Sequence, residues 1–174
     1  TLLGMSHSAA KIVAVDEPET HLHLSAPRST ARSLVSEPGQ RLLATHSPAI
    51  VGEVNPLDLV AFRADRVARQ LPEAAQFITY EFLTRHWAPH LIEPLTARFV
   101  LTVEGTSGLI LVRQAARQTG VDLARRSIAV LDLGGAGSFD FAYKIFGPNG
   151  FDVRMAGMVD EDARAAWATE VGVP

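Results

Sequence analysis

Short apolar runs alternate with helical patterns along the chain, and turn residues separate them. In the first half, apolar runs predict strands at 11–15 and 41–45, with a helix over 26–35 between them. The apolar residues of each run, IVAV at 12–15 and LLA at 42–44, are typical of a strand buried on both faces. The order predicts a strand–helix–strand unit with parallel strands, and 57–62 is a candidate for a third strand.

The second half repeats the alternation more regularly. Strands are predicted at 99–103, 127–133 and 153–159, and helices at 107–118, 138–146 and 162–170. A βαβαβα order predicts an α/β fold with a parallel sheet covered by helices on both faces, whose chemistry gathers at the carboxyl ends of the strands.

A polar and proline-interrupted stretch separates the two halves. Arginines and an aspartate occupy 63–69, and Pro89 and Pro94 interrupt any single long helix that follows. We therefore predict three parts: 1–62, a helical connector over 63–97, and a second domain over 98–174.

Composition excludes several classes of protein. With 47% hydrophobic and 20% charged residues among 174, the chain can bury a core, and the absence of cysteine excludes disulfides and thiolate metal sites. The net charge of -3 means that any affinity for DNA needs a local patch or a bound cation. No apolar run approaches a membrane span and no signal peptide is visible, so we expect a cytoplasmic protein.

Carboxylates follow two strands of the second half. Glu104 comes directly after the strand at 99–103, and Asp160 and Asp162 follow the strand at 153–159. Like charges at one sheet edge repel each other, and a hard cation with oxygen ligands relieves that repulsion. In extended backbone, residues two apart also point the same way. Each acid alone is explained by a helix N-terminus, but together they predict a Mg²⁺ or Mn²⁺ site.

Polar residues also end the two strands of the first half. Asp16 suits the Mg²⁺ of a bound nucleotide, Glu17 could polarise an attacking water, and His46 could hydrogen-bond a γ-phosphate. The sequence holds no G-x-x-x-x-G-K-[ST] loop. We therefore expect ATP to bind only with residues absent from this chain, in a phosphate loop upstream of Thr1; the alternative is that ATP binding has been lost.

Three strings of the second half resemble the Toprim fold of topoisomerases, primases and several nucleases: VEGTS at 103–107, LGG at 133–135 and VDED at 159–162. The resemblance implies that Glu104, Asp160 and Asp162 hold a catalytic divalent metal.

Two strings of the first half, DEPETHLH at 16–23 and THSP at 45–48, resemble the Walker B motif, D-loop and switch histidine of ABC-type ATPases. This form is the one found in the overcoming-lysogenization-defect (OLD) family of ATPase–nucleases. The resemblance implies that Asp16 supports Mg²⁺, Glu17 is the hydrolytic base, His46 senses the γ-phosphate and 1–10 ends the signature helix. It thus implies the C-terminal part of an ABC-type ATPase domain followed by a Toprim domain.

Two readings of function follow from these motifs. The first is a metal-dependent DNA endonuclease coupled to an ATPase, for which the family implies dimerisation and a role in phage defence. The second is a nucleotide-switched DNA-binding or assembly module with an inactive Toprim half. It is favoured by Gly108, where nuclease members usually carry a second acid. Asp132 is either a compensating acid or a solvated residue.

Several other polar and aromatic residues have ordinary explanations. His21 and His23 suit a subunit contact or a cap, and His86 and His90 suit a surface. Trp167 suits packing rather than base stacking. The arginines over 63–85 and at 113, 117, 125 and 126 could contact DNA phosphates, though solvated helix faces explain most of them.

Overall fold

The computed structural model describes residues 12–23, 26–62, 66–72 and 92–171. Three predictions lie outside these residues: the signature-helix end at 1–10, most of the helical connector, and the surface positions His86 and His90. The described residues form two compact units. The first takes 12–55 (with its gap) and Ile92, and the second takes 56–62, 66–72 and 93–171. The predicted three-part division stays a prediction.

The first unit is built on two parallel strands, as predicted. The expectation that both strands are buried on both faces is wrong for the described residues, because exposed positions alternate with less exposed ones in each strand. Its elements are β1 (Ile12–Asp16), α1 (Ala26–Ser36), β2 (Gln40–Ala44) and α2 (Pro48–Val51). Asp16 at the end of β1 lies opposite Ala44 at the end of β2. Helices α1 and α2 are in contact, and Ala31 and Ile50 are almost fully buried. The two strands therefore end side by side, which brings the loops after them together.

A small antiparallel hairpin opens the second unit. A 3-10 turn over Pro56–Asp58 precedes β3 (Val60–Phe62), and β3 pairs antiparallel with β4 (Ala68–Gln70). The strand predicted at 57–62 corresponds to β3. Strand β4 lies in the stretch predicted as the polar connector. Its three residues around Arg69 are too few for a recognisable alternation of exposed and half-buried positions. Arg69 ties the hairpin to Asp152 through an ion pair of 3.0 Å.

The rest of the second unit is the predicted α/β alternation, with boundaries within about one or two residues. The elements are α3 (Ile92–Thr96), β5 (Phe99–Val103), α4 (Thr106–Gln118), β6 (Ile128–Asp132), α5 (Phe139–Phe146), β7 (Arg154–Met158) and α6 (Glu161–Glu170). The three strands form one parallel sheet in the order β6-β5-β7. This mixed α/β unit with a parallel sheet has the fold class predicted from the sequence.

The central strand β5 carries the core of this unit. Val100, Thr102 and Val103 are fully buried, and the Thr102 hydroxyl donates to the carbonyl of Ala156 on β7 at 3.2 Å. Val103 lies opposite both Asp132 and Met158. Because the three strands end at the same level, the residues that follow them share one edge of the sheet. Among the helices described, none is long and apolar enough to cross a bilayer.

Candidate metal centre at the carboxyl edge of the sheet

The carboxyl edge of the second unit's sheet gathers the acids that the sequence singled out. Glu104 directly follows β5, Asp132 ends β6, and Asp160 lies two residues after β7. Backbone bonds continue the pairing of β5 and β6 beyond their ends. The Leu133 amide donates to the Val103 carbonyl at 3.0 Å, and the Gly135 amide donates to the Glu104 carbonyl at 2.7 Å. The backbone on which Glu104 sits is thus fixed on the β6 side.

The side chain of Glu104 reaches across to the other side of the edge. Its Oε2 accepts a hydrogen bond from the backbone amide of Asp160 at 3.4 Å. Glu104 is half-buried, and Asp160 is exposed. Within the described residues, the carboxylates of Glu104, Asp160 and Asp162 form no ion pair. The structure therefore brings the Glu104 carboxylate to the start of the Asp160 segment and leaves these acids without a cationic side chain.

The two aspartates differ in backbone conformation. Asp160 is extended (φ -68, ψ 157) and precedes the helix without a side-chain capping bond, whereas Asp162 lies in the first turn of α6. The prediction that both point the same way assumed extended backbone throughout and is wrong in that respect, because α6 begins at Glu161. Between them, Glu161 pairs with Arg164 at 3.4 Å.

Asp132 belongs to this edge and is not a freely solvated residue. Its Oδ2 accepts from the Thr106 hydroxyl at 2.8 Å, and its Oδ1 accepts from the Gly134 amide at 2.9 Å. Gly134 (φ 67) and Gly135 (φ 142) adopt backbone conformations that favour glycine, which allow the turn to fold back on the aspartate. The signal for this contact is present in the sequence, because Asp side chains commonly accept from the amide two residues on.

The acids of the carboxyl edge are the kind of oxygen ligand that a hard divalent cation prefers, but their carboxylates do not form one cluster. Mg²⁺ and Mn²⁺ prefer oxygen ligands, and every acid here offers only oxygen. Within the part of the chain that is described, no three Asp, Glu or His side chains are close enough to hold a metal ion. Instead, Glu104 and Asp132 bind amide and hydroxyl donors.

Gly108 has a packing reason for lacking a side chain. A Cβ added there would lie 3.0 Å from the Val103 Cβ and 3.4 Å from the Met158 methyl. The position faces the ends of β5 and β7, so a carboxylate cannot be introduced here without moving apolar neighbours.

The first unit places its predicted residues at the adjacent ends of β1 and β2. Asp16 ends β1, Glu17 follows it with a positive φ of 43, and the Glu17 amide donates to the Ala44 carbonyl at 2.8 Å. The Glu17 carboxylate accepts from the Thr20 hydroxyl at 3.2 Å. Asp16, Glu17 and His46 are all exposed.

Glu19 is a residue of this loop to which the sequence assigned no role. Its Oε1 accepts from the Thr45 hydroxyl at 2.7 Å and from the His46 amide at 3.1 Å. Burial raises the pKa of Glu19, but the hydrogen bonds from Thr45 and from backbone amides outweigh it, so the pKa is lowered overall. The acid in the DEPETH string is the signal that could have drawn attention to it.

Comparison with known proteins identifies part of the second unit. The family model described as "Overcoming lysogenization defect protein-like, TOPRIM domain" matches residues 95–162. No curated protein matches the chain. The matched stretch contains β5, β6 and β7 and all the acids of the carboxyl edge. A Toprim domain indicates metal-dependent chemistry on nucleic acid, of the nuclease or primase type. Residues 95–162 are therefore similar to the Toprim domain of overcoming-lysogenization-defect-like proteins.

Proposed function

We propose that this protein is a metal-dependent endonuclease that hydrolyses DNA phosphodiesters at the carboxyl edge of its Toprim sheet. The observation that supports it best is the 3.4 Å hydrogen bond between the Asp160 amide and the Glu104 carboxylate. This bond joins acid-bearing segments that are 56 residues apart in the chain. The family of residues 95–162 supplies the class of chemistry.

The acids of the carboxyl edge have two different roles in this proposal. Glu104, Asp160 and Asp162 would hold Mg²⁺ or Mn²⁺. When bound, such an ion stabilises charge on the scissile phosphate and lowers the pKa of a bound water. The Asp132 carboxylate accepts hydrogen bonds from Thr106 at the start of α4 and from Gly134 in the glycine turn. It therefore holds the backbone segments after β5 and β6 against each other.

We further propose that the first unit couples nucleotide hydrolysis to this cleavage. Asp16 would support Mg²⁺, Glu17 would act as the hydrolytic base and His46 would contact the γ-phosphate. ATP would bind only together with residues absent from this chain. The resemblance to the OLD family supports this role, together with a homodimeric assembly and a function in antiviral defence.

The test of the nuclease is a nicking assay on supercoiled plasmid with Mn²⁺ or Mg²⁺. Glu104→Gln and Asp160→Asn should each lower the rate at least about a hundredfold, because a bound metal is worth several kcal/mol to the transition state. Glu93→Gln is the matched control, since Glu93 is an exposed acid before β5 and should leave the rate unchanged. Metal-dependent nicking that survives both edge substitutions would contradict the proposal.

A second function has an observation in its favour. A side chain at Gly108 would require Val103 to move by a few tenths of an ångström, and the acids of the edge are not grouped. Both features suit a DNA-binding or assembly module, switched by nucleotide, whose Toprim half is inactive. A wild-type chain that binds duplex DNA but does not nick it in either metal would favour this alternative. Gly108→Glu would not serve as a gain-of-function test, because its side chain begins within contact distance of Val103 and Met158.

A further inference from the structure

The amino edge of the Toprim sheet, opposite the acids, carries a group of arginines. The three strands begin at one level, since Phe99 lies opposite both Ile128 and Arg154. Four exposed arginines stand at these strand starts or within three residues before them. We name them the amino-edge arginines: Arg98, Arg125, Arg126 and Arg154.

Backbone contacts show that these residues are neighbours in space. The Arg98 amide donates to the Ser127 carbonyl at 2.9 Å, so Arg98 lies beside the residue that follows Arg126. Arg154 is the register partner of Phe99, the residue after Arg98. With adjacent strands about 4.8 Å apart, the three strand starts lie within about 10 Å of each other.

The charge of this edge is not cancelled locally. Within the described residues, none of the amino-edge arginines forms an ion pair. Of the acids next to them in the chain, Asp152 is paired with Arg69, and Asp122, which accepts from the backbone amide of Arg125, offsets only one of the arginine charges. Helix α4 also runs back to this edge and has Arg117 in its last turn. The amino edge therefore has a local excess of positive charge, although the chain as a whole has a net charge of -3.

We propose that the amino-edge arginines are a second DNA contact, which binds backbone phosphates of duplex away from the cleavage edge. This inference rests on the proposed nuclease function. Arginine offers several donors in a planar fork that matches phosphate oxygens and is the usual residue for such contacts. A five-residue strand spans about 16 Å, or roughly five base pairs of duplex, so one duplex can extend from the acidic edge to the arginines.

Duplex DNA fits this surface better than an anionic membrane does. All four arginines fall inside the stretch 95–162 that matches the Toprim family. Phosphate contacts of this kind position the duplex and carry no sequence information.

The test measures binding separately from cleavage. Fluorescence anisotropy of a fluorescein-labelled 30-base-pair duplex, in EDTA, is followed over a series of salt concentrations for Arg126→Gln, Arg154→Gln and the double variant. Each single change should raise Kd about three- to tenfold. Because log affinity falls as log salt rises, each single change should also make this fall less steep by about 0.9, and the double change should make it less steep by about 1.8. Arg28→Gln, an exposed arginine on α1, is the control of equal charge and should leave both quantities unchanged.

Plasmid nicking by the same proteins separates the two proposals. If the wild type nicks plasmid while the arginine variants keep the Kd and salt slope of the control, the arginine inference is overturned and the nuclease stands. If the slopes fall as expected while the wild type fails to nick, the arginine inference stands and the nuclease fails. A wild type that binds phosphatidylserine vesicles through these arginines but does not bind the duplex would also overturn the inference.

Discussion

At the scale of single residues, the Glu19 carboxylate organises the loop that carries His46. It accepts from the Thr45 hydroxyl and the His46 amide, and the Thr45 hydroxyl in turn accepts from the Ser47 amide at 3.0 Å. A hydrogen bond to a charged group contributes about 1.5 to 3 kcal/mol, more than a neutral one. The exposed His46 is therefore held through its backbone by an acid from the neighbouring strand's loop.

The lowered pKa of Glu19 predicts a pH dependence of stability. Burial raises this pKa, but the Thr45 and backbone hydrogen bonds bring it below the ordinary value of 4.5. A carboxyl whose folded pKa is depressed stabilises the fold fully above its unfolded pKa and loses that contribution as the pH falls through the folded value. The unfolding free energy of the wild type should thus exceed that of Glu19→Gln most at pH 6 to 7, and the difference should shrink below about pH 4.

Chemical denaturation followed by circular dichroism between pH 3 and 7 measures this difference. Thr45→Val is the matched variant. It removes the side-chain donor and keeps the acid, so its stability should depend less steeply on pH in the same interval. A difference between the wild type and Glu19→Gln that stays constant across the interval would contradict the account.

At the scale of elements, Trp167 packs helix α6 against α5 and strand β7 of the sheet. Its ring is 5% exposed and stacks on Phe139 of α5, with centroids 4.1 Å apart and 9° between the planes. Its Nε1 donates to the Ala136 carbonyl at 3.0 Å. Gly157 on β7 leaves room for the ring, because a Cβ there would lie 2.5 Å from it. The expectation that Trp167 packs rather than stacks on bases is confirmed.

Substitution of Trp167 should separate its packing from its hydrogen bond. Trp167→Ala should lower the unfolding free energy by about 3 to 5 kcal/mol, because it leaves a cavity between α6, α5 and β7. Trp167→Phe keeps a stacked ring and loses the donor to Ala136, so it should lower the free energy by only about 1 kcal/mol. Urea denaturation measures both values. Equal losses in the two variants would mean that the ring does not fasten the helix.

Most elements could be predicted from the sequence because turn residues bound their apolar runs, although β1 and β2 alternate between exposed and less exposed residues and are not buried on both faces. Strand β5 was predicted with the observed bounds for this reason. Strand β4 was missed, because a three-residue strand in an exposed hairpin has no buried face to mark it. The start of α6 at Glu161 was placed one residue late, and that single residue changes the direction expected for Asp162.

At the scale of the whole molecule, charge is divided between the two edges of the Toprim sheet. Acids gather at the carboxyl edge and arginines at the amino edge, and the net charge of -3 conceals this division. The sequence could predict which acids share an edge, because parallel strands end together. It could not predict where each carboxylate points. Asp132, for example, accepts from the Thr106 hydroxyl and the Gly134 amide.

The nuclease proposal depends on Glu104, Asp160 and Asp162 holding a divalent cation. Titration of the chain with Mn²⁺, in which electron paramagnetic resonance measures the free ion, tests it without relying on cleavage. Saturable binding is predicted for the wild type and for Glu93→Gln, with affinity at least about tenfold weaker in Glu104→Gln and in Asp160→Asn. No saturable binding by the wild type, or equal affinity in all four proteins, would contradict the account.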